Sequence, residues 1–137
     1  MPLIISEFQS AFQADKAILN NMLVAFETLH HMKTKKSGKK GFMAMKLYMS
    51  KAYDRIEWQF LVKIMERMGF HLKWIWWIYE CVSSVSFSIM VNGEPKGYIV
   101  LTRGLSQGDP LSPFLFNIVI EALHCLFKKA ATLNLVG

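Results

Sequence analysis

The stretch from Arg103 to Asn117 reads RGLSQGDPLSPFLFN and determines the architecture around it. Two glycines, a Gln-Gly step and two prolines so close together indicate a loop. Pro113 suits the first turn of a helix, because proline lacks an N–H that this turn would leave unpaired. Apolar residues then recur at helical spacing on one side: Leu115, Val119, Leu123 and Leu126. The stretch therefore predicts a loop that leads into an amphipathic helix.

A β-hairpin is predicted immediately before this loop. Val85 to Val91 alternates Val, Phe, Ile and Val with Ser and Met, and Tyr98 to Leu101 is rich in β-formers. Asn92-Gly93 lies between them and favours a tight turn, because both residue types tolerate positive φ.

Two further helices are predicted between residues 54 and 82. Asp54-Arg55-Ile56-Glu57 has the spacing of a capping box, and Gly69 lies where a C-terminal cap belongs. The apolar stripe of this helix is predicted to be Phe60, Ile64 and Met68. The second of the two helices extends from His71 to about Val82, and we interpret its aromatic residues as core packing rather than base stacking. These aromatic residues are Trp74, Trp76, Trp77 and Tyr79.

The amino-terminal part contributes a helix, a basic loop and a strand. Asp15 to about Met32 has helical spacing of apolar residues, with Asp15 as the cap. An irregular loop follows up to Gly41, and Phe42 to Tyr48 predicts a buried strand with Phe42, Ala44, Lys46 and Tyr48 on one face. The complete order predicts an α+β fold, in which helices cover one face of an antiparallel sheet.

The charge of the chain favours an anionic partner. Sixteen Lys and Arg residues against 10 Asp and Glu give a net charge of +6, which suits nucleic acid but also fits an ordinary basic surface. The lysines of the basic loop have two possible roles: they contact a nucleic-acid backbone, or they belong to a solvated linker. We favour the solvated linker. The residues concerned are Lys35, Lys36, Lys39 and Lys40.

Composition also bears on the class of protein. Cys81 and Cys125 lack metal-ligand spacing, so we expect neither a zinc site nor a disulfide framework. We expect a reduced, intracellular setting instead. We expect no signal peptide and no membrane partner, because no apolar run approaches the ~18 residues of a membrane span.

A second segment, from Lys46 to Arg55, reads KLYMSKAYDR. Together with Gln9-Ser10-Ala11-Phe12 and the stretch from Arg103 to Asn117, it resembles the reverse transcriptases of LINE-type (non-LTR) retrotransposons, particularly those abundant in plant genomes. The resemblance covers essentially the whole chain. It implies a partial fingers and palm, with residues 1–41 as the fingers-like part and residues 42–137 as an incomplete palm.

The resemblance implies an RNA-directed DNA polymerase that uses two Mg²⁺ ions held by palm aspartates. In the family pattern Leu-Asp-x-Ser-Lys-Ala-Tyr-Asp, however, Tyr48 occupies the position of the first metal-binding aspartate. A neutral phenol is a poor Mg²⁺ ligand. No Asp follows Asp109, so the family's Asp-Asp hairpin is missing, and we assign Asp54 to helix capping instead. We expect no intact catalytic residue, no metal site and no cofactor in this fragment, although the intact family uses Mg²⁺.

The resemblance also implies residues that handle nucleotides. Tyr53 matches the aromatic position that blocks a ribose 2′-hydroxyl, with packing as the alternative, and Gln107 and Gly108 match the loop near template and incoming nucleotide. Lys16 lies where the family usually has an arginine, so its contact with a triphosphate should be weaker. Arg103 contacts a phosphate or is a solvated loop cation, and both interpretations are open.

These observations lead to one main hypothesis and two alternatives. The main hypothesis is a degenerate fragment of a retrotransposon reverse transcriptase that is inactive alone. By resemblance its partners are RNA template and DNA primer, with weak or no binding of deoxynucleoside triphosphate, in the nucleus or cytoplasm. The alternatives are a non-catalytic, salt-sensitive RNA- or DNA-binding module and a decayed remnant without function.

Overall fold

The computed structural model describes residues 18–35 and 42–133 and divides the chain into two compact units, Met1–Ser50 and Lys51–Gly137. The first unit contains helix α1 (Ile18–Thr34). The second contains α2 (Trp58–Arg67), α3 (Leu72–Ser83), the strands β1 (Ser86–Val91) and β2 (Glu94–Val100), and α4 (Ser112–Thr132). The predicted α+β class is confirmed. No helix in the described ranges is long and apolar enough to cross a membrane.

Helix α1 confirms the first predicted helix and extends beyond it. The predicted irregular loop is wrong at Lys33 and Thr34, because the helical backbone pattern continues through them and the Lys35 N–H donates to the His31 carbonyl at 3.1 Å. The predicted cap, Asp15, lies outside the described residues.

The strand predicted from Phe42 to Tyr48 is wrong. These residues have no regular secondary structure and are exposed. A strand needs a neighbour for its backbone N–H and C=O groups, and within the described ranges the two strands of the hairpin pair only with each other. Phe42 instead contacts the end of α1, since its ring lies 6.2 Å from that of His31.

Three helices form the hydrophobic core of the second unit, with α2 packed against both α3 and α4. Leu61 and Met65 of α2 are 1% exposed, which places them at the centre of the core. Burial of each such side chain stabilises the fold by roughly 1.5–3 kcal/mol. Other buried members come from α3 and α4: Ile75, Ile78, Val82, Leu115, Ile118 and Ala122.

Helix α2 begins later than the capping box predicted. Its first residue is Trp58, its N-cap is Glu57, and residues 51–55 form turns, so the capping role predicted for Asp54 is wrong. The physical reason is a competing tertiary contact. The Ile56 carbonyl accepts a hydrogen bond from the Gly104 N–H, and the Glu57 carboxylate pairs with Arg103 instead of completing a capping box.

The core face of α2 also differs from the predicted stripe. Phe60 is 41% exposed, and Ile64 and Met68 are half-buried, whereas Trp58, Leu61 and Met65 face the core. Both sets recur at helical spacing, so local periodicity alone did not distinguish them.

The end of α2 is as predicted at Gly69. Its φ is +81°, its N–H donates to the Glu66 carbonyl, and the Phe70 N–H donates to the Met65 carbonyl. This pair of bonds is a Schellman cap, which satisfies carbonyls that the last turn leaves unpaired.

The location of α3 is confirmed, but the core role of its tryptophans is wrong. Trp74, Trp76 and Trp77 are 46%, 58% and 45% exposed. Apolar residues occur on every side of this helix, and the smaller side chains of Ile75, Ile78 and Val82 occupy the side that packs on the core. Tyr79 is half-buried and meets Trp58 edge-on, with ring centroids 6.3 Å apart.

The predicted hairpin is confirmed as an antiparallel pair of strands. Asn92 and Gly93 have φ values of +52° and +82°, as a two-residue type I′ turn requires. Every residue of both strands is exposed and no described helix packs on them, so the predicted covering of a sheet face does not hold for this hairpin.

Helix α4 confirms the role of Pro113, which lies in its first turn. The predicted apolar side is buried at Leu115, half-buried at Val119 and Leu123, and open at Leu126, which is 59% exposed. The beginning of α4 therefore belongs to the core, and its far end does not.

Candidate functional site

Two segments that are distant in sequence, residues 53–58 and 103–105, are joined by backbone hydrogen bonds. The Gly104 N–H donates to the Ile56 carbonyl at 2.7 Å, and the Leu105 N–H donates to the Tyr53 carbonyl at 3.0 Å. We call this pair of segments the motif junction. It ties the segment that follows Tyr48 to the loop that contains Gln107 and Gly108.

Side chains reinforce the motif junction. The buried indole of Trp58 donates to the Gly104 carbonyl at 2.7 Å. Arg103 and Glu57 form an ion pair at 3.3 Å, but both side chains are more than half exposed, so this pair adds little stability. The backbone bonds and the indole contact therefore hold the junction.

Gly104 is required by the geometry of the motif junction. Its φ is +90°, which L side chains rarely adopt, and a Cβ atom there would lie 3.0 Å from both the Cα and the carbonyl oxygen of Asp54. The neighbouring atoms are backbone, which cannot rotate away as the end of a side chain can. The absence of a side chain at position 104 lets the two segments approach.

Tyr53 is fixed by an aromatic neighbour. Its ring stacks on Phe116 of α4, with centroids 4.6 Å apart and an interplanar angle of 12°. Such a contact stabilises by roughly 0.5–1.5 kcal/mol beyond the area it buries. Partial burial raises the pKa of the Tyr53 phenol above its ordinary value of 10.0.

The raised pKa of Tyr53 predicts a loss of stability at alkaline pH. The folded state holds the phenolic proton more tightly than the unfolded chain, so this contribution is fully present below about pH 10 and disappears as pH rises through the folded-state pKa. We expect the Tm of the parent protein to fall more steeply above this pH than that of Tyr53→Phe. Tyr98→Phe, at a side chain that is 74% exposed, is the matched control. Equal slopes for all three proteins would contradict the prediction.

The loop after the junction presents Gln107 and Gly108 to solvent. Both residues are exposed, and Gly108 has a φ of +94° with open space where a Cβ atom would lie. Asp109 closes the loop, because its carboxylate accepts the Leu111 N–H at 2.9 Å and its carbonyl accepts the Ser112 N–H at 3.2 Å. The tip is thus supported on one side by the junction and on the other by the start of α4.

The predicted nucleotide-handling residues are only partly brought together. Tyr53 belongs to the motif junction, and the exposed loop with Gln107 and Gly108 begins directly after it. Lys16 lies outside the described residues, as do Lys36, Lys39 and Lys40.

The other predicted residues have different surroundings. Tyr48 is 85% exposed and belongs to the first unit. Lys35 has its ammonium 4.1 Å above the centroid of the Phe42 ring, and Arg103 pairs with Glu57. Both cations thus have partners within the chain.

Sequence reasoning missed three residues that shape this site: Trp58, Gly104 and Phe116. A signal for Gly104 existed in the glycine-rich loop, although the family resemblance pointed to its neighbours Gln107 and Gly108. Nothing local indicated that Trp58 and Phe116 contact residues far along the chain. Their roles depend on tertiary packing.

Comparison with known proteins identifies the family. A family model described as reverse transcriptase (RNA-dependent DNA polymerase) matches residues 3–136. A retrovirus-related Pol polyprotein from type-1 retrotransposable element R2 of Popillia japonica is 30% identical over 116 residues, which are 84% of this chain and 16% of that protein. The uncharacterized 149 kDa protein of transposon TX1 from Xenopus laevis is 25% identical over 129 residues, 94% of this chain and 10% of the relative.

An uncharacterized mitochondrial protein of Arabidopsis thaliana is 49% identical over 41 residues, covering 30% of this chain and 34% of the relative. The chain thus spans a small part of the length of the curated relatives it matches. The predicted resemblance to the reverse transcriptases of LINE-type retrotransposons is confirmed. The chain belongs to the reverse transcriptase family and is part of the reverse transcriptase domain of a LINE-type, non-LTR retrotransposon.

Proposed function

We propose that this chain forms part of the surface that holds template and nucleotide in a reverse transcriptase, and that it does not polymerise DNA by itself. The observation that carries the proposal is the motif junction, which fixes Tyr53 next to the start of the loop bearing Gln107 and Gly108. In this proposal residues 1–41 belong to the fingers and residues 42–137 to the palm.

The loop has the chemistry that a nucleotide-binding surface needs. Gly108 has no side chain, so a base or sugar can approach its backbone closely. The exposed amide of Gln107 can both donate and accept hydrogen bonds. The ring of Tyr53, which stacks on Phe116, offers a fixed aromatic edge within the motif junction. RNA template and DNA primer are therefore the proposed partners, with weak binding of a deoxynucleoside triphosphate.

Reverse transcriptases of this family generally use Mg²⁺. The donor atoms of the described residues do not fit a pair of these ions. Tyr48 offers a phenol where the family has a carboxylate, and protein sites usually hold Mg²⁺ through one or two carboxylates together with water. The Asp109 carboxylate accepts a backbone N–H, and the described ranges contain no group of three or more potential metal-ligating acidic, histidine or cysteine side chains. No catalytic step is assigned to the metal in this chain.

The proposal predicts binding without polymerisation. We expect the purified chain to bind a fluorescein-labelled RNA template annealed to a DNA primer, with an affinity that falls steeply as salt rises. In the same samples, Mg²⁺ and deoxynucleotides should give no template-dependent primer extension. Gln107→Ala should weaken binding roughly two- to tenfold, as the loss of one hydrogen bond implies.

The matched control is Gln59→Ala, which removes an exposed glutamine of α2 outside the motif junction and should leave affinity unchanged. A known reverse transcriptase in the same buffer confirms that the duplex is a competent substrate. Template-dependent incorporation by the chain would refute the claim of inactivity. Absence of binding at low salt, or equal losses in the two glutamine variants, would refute the claim that this loop contacts nucleic acid.

A further inference from the structure

A groove runs between helices α2 and α4, apart from the motif junction. Its volume is about 540 Å³. Phe60 and Ile64 of α2 and Leu126 of α4 supply apolar lining, and Lys63, Arg67 and Lys129 supply its charged groups. We call this feature the α2–α4 groove.

The apolar lining of the groove is left open within the described part of the chain. Phe60 is 41% exposed and Leu126 is 59% exposed. Phe60 and Ile64 lie one helical turn apart, on the stripe whose periodicity predicted a buried face. Such a continuous apolar strip between two packed helices is typical of a contact surface.

The charged groups of the groove all carry the same sign. Lys63 and Arg67 are one turn apart on α2, and Lys129 lines the α4 side. No carboxylate is among the described residues that line the groove, and Glu66 of α2 faces a different pocket. The groove therefore combines an apolar strip with a cationic border.

We propose that the α2–α4 groove binds an amphipathic helix of a protein partner, with an apolar stripe flanked by acidic residues. Helices of this kind insert side chains at i, i+4 and i+7 into a groove formed by neighbouring helices. The acidic flanks would lie against Lys63, Arg67 and Lys129, and complementary charge favours the encounter and fixes the orientation.

Other occupants fit less well. A nucleic acid would pair its phosphates with the cations but would leave the aliphatic lining at Ile64 and Leu126 without apolar groups to contact. A second copy of the chain would bring another net charge of +6 against the same cations. This proposal does not depend on the function of the motif junction.

The test uses the full chain and a fluorescein-labelled synthetic peptide of about 16 residues, long enough to follow the ~15 Å of α2. The peptide carries leucines at i, i+4 and i+7 with glutamates on both flanks, and a second peptide has lysines in place of the glutamates. We expect fluorescence anisotropy to show binding of the acidic peptide at least about tenfold tighter than the basic one, as electrostatic complementarity implies. Lys63→Glu should lower the affinity for the acidic peptide by about fivefold or more. Lys73→Glu on α3 should lower it by less than about twofold.

Circular dichroism of both variants shows that each retains its helices. Equal affinity of the acidic and basic peptides, no binding of either peptide, or equal losses in the two lysine variants would overturn the proposal. A single-stranded RNA oligonucleotide provides the remaining arm. If Lys63→Glu abolishes RNA binding while the acidic peptide does not bind the parent protein, the groove is a nucleic-acid surface and the proposal is wrong.

Discussion

Replacing Gly104 with alanine should lower the free energy of unfolding by about 2 kcal/mol or more, because two costs add at this position. A positive φ costs a non-glycine residue roughly 1 kcal/mol. The new Cβ would also lie 3.0 Å from backbone atoms of Asp54, so the two segments of the motif junction must separate. Separation weakens the 2.7 Å bond from the Gly104 N–H to Ile56, at a cost of about 1 kcal/mol or more.

Gly108→Ala is the matched control for this prediction. Gly108 has a similar φ of +94°, but no atom lies within 4 Å of the added Cβ. Gly108→Ala should therefore lower the free energy of unfolding by the conformational cost alone, about 1 kcal/mol. Urea denaturation of the parent protein and both variants measures the difference. Equal destabilisation by the two substitutions would show that the close approach to Asp54 has no energetic weight.

Leu61→Ala should destabilise the protein by about 2–5 kcal/mol, the range for large-to-small changes in a packed core. Leu61 is 1% exposed, and its loss leaves a cavity where α2 faces α3 and α4. The neighbouring Phe60→Ala, at a side chain that is 41% exposed, should cost about 1 kcal/mol or less.

This pair of substitutions distinguishes the core face in the structure from the stripe predicted by periodicity. If Phe60→Ala is the more destabilising of the two, α2 is rotated relative to the structure described above. Should Leu61→Ala prevent folding altogether, Leu61→Met tests the same site with nearly conserved volume and should cost less than about 1.5 kcal/mol. A cooperative unfolding transition of the parent protein would in itself argue against a decayed remnant.

Elements with local sequence signals were predictable. The hairpin depends on Asn92 and Gly93, whose positive φ values suit the turn, and the end of α2 depends on Gly69. Pro113 marked the beginning of α4 for a similar reason, since it lacks an N–H that the first turn would leave unpaired. In each case the residue that forms the structure lies next to the structure it forms.

Elements that depend on distant partners were not predictable from local patterns. The segment around Asp54 has capping-box spacing, but residues about fifty positions later take up the Tyr53 and Ile56 carbonyls. The segment from Phe42 to Tyr48 has the residue types of a strand, but no described strand pairs with it. The tryptophans of α3 are residues typical of a core, but in the structure Ile75 and Ile78 are the residues buried against it.

The residues of the candidate site also fall into those that the sequence indicated and those that only the structure revealed. Resemblance to a family supplied Tyr53, Gln107 and Gly108 as residues of interest, and their nucleotide roles remain predictions. The structure added Trp58, Gly104 and Phe116, which hold the segments in place. A pattern of residue types can indicate which side chains meet a ligand, whereas the contacts that position them span the fold.

Because the indole of Trp58 is buried in the motif junction, its emission reports whether the junction is intact. All four tryptophans lie in the described ranges, and Trp58 is 9% exposed while the three on α3 are open to water. An indole removed from water emits at shorter wavelength and resists collisional quenchers such as acrylamide. Any event that separates residues 53–58 from residues 103–105 should therefore move the emission of Trp58 to longer wavelength and expose it to quenchers. The emission of the three tryptophans of α3 should change little.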